Sequence, residues 1–117
     1  MADEAEALKV RLRKDLRDAM VAREPVRVRV LRLLVSELDN AQAVPLASEH
    51  KTYVVRDFGD PSVEVPRLSL TADAVRRLLE LEIAARHAAA AEMAGVGQLA
   101  QADVLREEAR IIDAYLR

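Results

Sequence analysis

Apolar positions recur at intervals of three and four through most of the chain. From Ala5 to Arg23 neither glycine nor proline intervenes, and Leu8, Leu12, Leu16, Ala19 and Met20 share one face of a helix. Lys9, Arg13 and Arg17 form a second row. Arg11 to Asp15 and Lys14 to Asp18 have the spacing of i,i+4 ion pairs, each worth ~0.2–0.5 kcal/mol. Pro25 closes this segment and can open the next, because proline suits the first helical turn and biases the residue before it away from helix. Val26, Val28 and Val30 then alternate with Arg27 and Arg29 as a strand would. Val30, Leu31, Leu34, Val35 and Leu38 keep helical spacing without a turn signal, so a second helix is predicted.

Thr71 is a candidate N-cap, with Asp73 in the first turn where the helix dipole favours a carboxylate. Val75, Leu78, Leu79, Ile83, Arg86, Ala89, Ala90 and Met93 carry the period to Gly95-Val96-Gly97, which supplies a left-handed cap and turn. A last helix has the stripe Leu105, Ala109, Ile112 and Leu116, flanked by Val104, Ile111 and Tyr115. So short a turn makes the last two helices antiparallel neighbours, and Ala84, Ala85 and the run Ala88 to Ala91 permit close approach. The prediction is an all-α single domain over 1–117, with helices near 5–23, 26–41, 72–94 and 99–116 packed as two antiparallel pairs. Leu12, Leu16, Met20, Leu31, Leu34, Leu38, Leu79, Ile83, Leu105, Ile112 and Leu116 should form the core. Residues 44–70 hold Pro45, Pro61 and Pro66 and read as a long irregular connection; Lys51 to Arg56 and Ser62 to Val65 could pair as a small hairpin about Asp57–Pro61.

Composition narrows the chemistry. Hydrophobic residues make up 51% and charged residues 32%, enough for a core and a solvated surface, but aromatics are only 3%. That scarcity argues against base-stacking platforms. The absence of cysteine removes thiolate metal sites and a cysteine nucleophile. Asp3, Glu4 and Glu6 open the chain without a basic residue among the first eight, unlike a secretory signal, and no apolar run approaches the roughly 20 residues of a membrane span. A cytoplasmic protein with no membrane partner is expected. His50 and His87 have no partner at metal-ligand spacing, and Glu107 with Glu108, or Asp73 with Glu80, read as charged helix faces. The serines lack a nucleophile-elbow context and the glycines form no phosphate loop, so no catalytic residue, metal or cofactor is expected.

Charge layout is the one uneven feature. Residues 9–32 hold nine bases and three acids, a block of +6 in a chain whose net charge is -2. Arg13, Lys14 and Arg17 on the first helix and Arg29 and Arg32 on the second are the candidate phosphate-binding residues. A merely solvated amphipathic face is the competing reading, and the sequence pI near 5.7 favours that competitor.

The order of these features resembles the GatB/YqeY-like family. The stretch Leu8 to Gln42 is similar to its opening, through Leu12, Asp15, Leu16, Ala19, Met20, Arg27, Leu31, Arg32, Leu34, Ser36 and Asn40. Arg86-His87, Ala94-Gly95, Glu108, Ile112, Tyr115 and Leu116 look like its basic pair, turn and closing helix. The resemblance is to the N-terminal helical domain, without the tail domain that follows it in the family. It implies an all-α fold and a place near tRNA or a glutamine-dependent tRNA amidotransferase, under the family label of carbon–nitrogen ligase with glutamine as amide donor. Because an amidating enzyme needs an ammonia source, an ATP site and a metal, a chain of this kind is expected to be a non-catalytic accessory or tRNA-binding module. The alternative is a helical protein-interaction module that docks a partner or self-associates.

Overall fold

The computed structural model describes residues 3–43 and 68–117. Four helices appear, α1 (Glu4–Ala22), α2 (Pro25–Gln42), α3 (Ala72–Gly95) and α4 (Leu99–Asp113), and a 3₁₀ turn (Ala114–Leu116) closes the chain. No strand occurs among the described residues, and the hairpin expected within 51–65 lies outside them. Predicted boundaries hold to within one residue, except that the last expected turn of α4 is the tighter 3₁₀ turn.

Local chemistry accounts for the starts of α1 and α3 and for the two turns. The Asp3 carboxylate accepts from the Ala5 N–H at 3.0 Å, and Glu4 and Glu6 sit in the first turn of α1 at the positive end of the dipole. Thr71 caps α3 through its hydroxyl oxygen, which accepts from the Ala74 N–H at 3.0 Å. α1 ends at Arg23, whose φ of 58° and ψ of 53° are left-handed; its N–H donates to the Met20 carbonyl, and the Glu24 N–H donates to Ala19. This pattern normally falls on glycine. Pro25 then begins α2, where its missing N–H would be unbonded in any case. At the second turn it is Gly97, with φ 79°, that is left-handed, while Gly95 is the final residue of α3.

The helices pack as two pairs, α1 against α2 and α3 against α4. Lys9 and Gln42 set the antiparallel register of the first pair. Lys9 Nζ lies 2.8 Å from both Asp39 Oδ1 and Glu6 Oε2, and Gln42 Nε2 donates to Glu6 Oε2 at 2.9 Å and Asp3 Oδ2 at 3.3 Å. Burial works to lower the Lys9 pKa, but its bonds to Asp39 and Glu6 outweigh that and hold it above the usual lysine value. Between the pairs, Leu12, Leu31, Leu34, Leu38, Leu79 and Ile112 are fully buried, with Leu16, Ile83 and Leu116 packed around them. Met20 and Leu105 are corrections to the predicted core: Met20 is 50% exposed near the left-handed end of α1, and Leu105 is half-buried along an open groove with Met93 and Val104. The C-terminal turn is anchored to α1. Tyr115 donates its hydroxyl proton to Asp15 Oδ2, and the Arg11 guanidinium lies 4.7 Å from the ring centroid, so the expected Arg11–Asp15 pair gives way to contacts through the tyrosine.

Candidate nucleic-acid interface

The basic block divides by what each side chain touches. Lys9 is buried between Glu6 and Asp39. Lys14 bonds Asp18 at 3.2 Å, and it projects about 100° further round α1 than Arg13. Arg11 covers the Tyr115 ring, and Arg27 is half-buried with its Nε enclosed and unbonded. Arg29 reaches across to α4, where its Nη2 donates to Glu108 Oε2 at 2.7 Å. Arg13, Arg17, Arg23 and Arg32 are exposed and have no acidic partner among the described residues.

Helical register sets Arg13 and Arg17 of α1 opposite the middle of α2. One turn from the Lys9–Asp39 bond, in opposite directions along the two helices, Arg13 comes level with Val35; a further turn brings Arg17 level with Leu31 and Arg32. Beyond them, at the α1–α2 turn, Arg23, Arg29 and Arg32 line a cleft of about 680 Å³ together with Met20, Pro25 and Val28. Glu24 is the one acid on its rim. The five residues expected from sequence therefore separate. Arg29 and Arg32 line the cleft, Arg29 while bonded to Glu108; Arg13 and Arg17 are exposed on α1 outside its lining, and Lys14 is bonded to Asp18.

Arg23 was not among those five, although it belongs to the same block. Its position before Glu24-Pro25 marks a helix end, and the side chain at such an end can turn back across the groove. Glu108, expected with Glu107 to be part of a charged helix face, is instead buried, and its partner Arg29 lies 79 residues away in sequence. Its carboxylate is about one-tenth exposed and also accepts from Arg86 Nε at 3.0 Å, while Arg86 Nη1 donates to Glu82 Oε1 at 2.7 Å and to the Glu82 carbonyl at 3.1 Å. One carboxylate thus ties α2, α3 and α4 together. His87 is exposed, and no three of His, Asp or Glu converge as metal ligands among the described residues. No helix there is long and apolar enough to cross a membrane.

Neither a family model, nor a curated protein, nor a solved structure matches the chain. The functional reading therefore rests on the groove and on the sequence blocks themselves.

Proposed function

We propose that the chain is a non-catalytic RNA-binding module whose α1–α2 face takes the phosphate backbone, and that its RNA is tRNA in the setting of a glutamine-dependent amidotransferase. The observation that carries the reading is the set of four exposed arginines without acidic partners among the described residues, Arg13, Arg17, Arg23 and Arg32, of which Arg23 and Arg32 line one cleft at the α1–α2 turn. Guanidinium groups suit phosphate because their planar fork can donate two hydrogen bonds at once. Arg23 and Arg32 in one cleft bring like charges together, an arrangement that a bound anion relieves. Arg23 adds a second argument: a left-handed residue is cheapest as glycine, yet this one keeps a long cation facing the cleft. The choice of tRNA comes from the resemblance of Leu8 to Gln42 and of the closing helix to the GatB/YqeY-like family.

Fluorescence anisotropy with labelled tRNA across a salt series tests this reading. If three or four arginines meet phosphates, log affinity falls linearly with log salt, with a slope of roughly -0.7 to -0.9 per contact. Absence of binding at low ionic strength would exclude a nucleic-acid role and favour the protein-interaction alternative. Equal affinity for tRNA and for an unrelated RNA duplex would keep the groove but remove the tRNA assignment.

A further inference from the structure

Arg29 belongs to two structures at once. It lines the cleft at the α1–α2 turn with Arg23 and Arg32, and its Nη2 donates to Glu108 Oε2 at 2.7 Å. That bond is the outer part of a network. The inner part is Arg86 Nε against Glu108 Oε1 at 3.0 Å, where both side chains are almost enclosed, whereas Arg29 is more than half exposed. Solvent and a ligand therefore reach Arg29 far more readily than the inner pair. Arg86 also bonds Glu82 at 2.7 Å, so two carboxylates face a single guanidinium in the interior and Arg29 completes the balance from outside.

We propose, on the reading of the cleft as a phosphate site, that Glu108 is a positioning residue that restrains Arg29, and that a bound phosphate competes with Glu108 for this guanidinium. Arg23 and Arg32 have no acidic partner among the described residues, so an arriving anion meets their full charge. Arg29 becomes the third cation of the cleft only by leaving Glu108. Two features make that exchange feasible. Glu108 keeps Arg86 when Arg29 departs, so no buried carboxylate is left without a partner, and the exposed Arg29 is hydrated or phosphate-bound as soon as it is released. One feature opposes it. The two carboxylates beside Arg86 draw Arg29 back, so the cleft holds an anion more weakly than three unrestrained arginines would. By linkage, a ligand that recruits Arg29 also loosens the contact between α2 and α4.

Anisotropy of labelled tRNA at low salt, measured for the unaltered chain, Glu108→Gln, Arg29→Gln and the double variant, tests this as a thermodynamic cycle. Glutamine at position 108 keeps an oxygen for Arg86 Nε and loses the charge that holds Arg29. Glu108→Gln should bind about fivefold more tightly, and its salt slope should steepen by roughly 0.7–0.9, one further phosphate contact. In the Arg29→Gln background the same change should have no effect. Glu107→Gln removes an equal charge from the exposed neighbouring position and should tighten binding far less. Urea denaturation checks that each variant is folded. Should Glu108→Gln unfold, Glu108→Asp carries the test: it retains a charge beside Arg86 but is one methylene shorter, so its hold on Arg29 is looser and binding should again tighten. No gain in affinity from the folded variant at position 108, the same gain when Arg29 is absent, or an equal gain from Glu107→Gln would overturn the proposal and leave the cleft's role standing. Absence of tRNA binding by every protein in the series would overturn both.

Discussion

Arg29 and Arg32 are one helical turn apart on α2 and illustrate two ways of using the same side chain. Arg29 is bonded to a carboxylate that is about one-tenth exposed and that also holds Arg86, so its charge is tied to the joint between α2, α3 and α4. Arg32 has no such partner and lines the cleft at the α1–α2 turn with Arg23. Pairing decides the difference. The enclosed Arg86–Glu108 pair is part of the fold, because removing one member leaves a desolvated charge behind, and Arg29 has its charge offset by that same carboxylate, whereas Arg32 keeps its charge available to a ligand.

Removing Glu108 should have the largest effect. Glu108→Ala leaves Arg86, which is 12% exposed, with Glu82 as its remaining carboxylate and its Nε unbonded, and is expected to cost about 2–3 kcal/mol of unfolding free energy in a urea titration. Arg29 is 58% exposed, and Arg29→Ala should cost under about 1 kcal/mol because water takes over its hydrogen bonds. Equal losses from the two variants would show that the network is not centred on the enclosed pair.

Alkaline pH probes a second enclosed polar contact. Burial, together with the hydrogen bond to Asp15, pushes the Tyr115 pKa from 10.0 up to about 12. The unfolded chain thus releases this proton first, so Tyr115 contributes stability that is complete below pH 10 and is lost as the pH rises towards 12. Lys9, whose pKa is also raised, loses its contribution above its ordinary value of 10.5, in the same direction. Spectrophotometric titration of a Tyr53→Phe variant, in which Tyr115 is the remaining tyrosine, should place the phenol near 12, and melting temperatures should fall over the same interval.

The smallest stability effect is expected at Arg23. Glycine occupies the left-handed region without a Cβ penalty, so Arg23→Gly should raise stability by about 0.5–1 kcal/mol in chemical denaturation while weakening RNA binding. A loss of stability would mean that the arginine side chain holds the turn.

Much of this architecture is legible in the sequence because it is local. Periodicity marks all four helices, Thr71 announces the start of α3, and the Gly-Val-Gly turn sets the second hairpin. Met20 shows the limit: it follows the apolar spacing of α1, but whether another helix covers that position depends on how the pairs cross. The groove was legible only in part for a related reason. Composition and spacing reveal nine bases in one block, yet which of them are neutralised depends on Glu108, Asp39 and Tyr115, which reach the block through tertiary packing.

The central claim is that the arginines without an acidic partner among the described residues bind RNA, and the RNA affinity of Arg13→Glu/Arg17→Glu/Arg32→Glu tests it most directly. Arg29 is left intact in this variant because a glutamate there would face Glu108 and disturb the fold. The account predicts that tRNA binding, measured by anisotropy at low salt, is lost while the urea midpoint stays within the change expected of exposed charges. Undiminished affinity in the triple variant would contradict it.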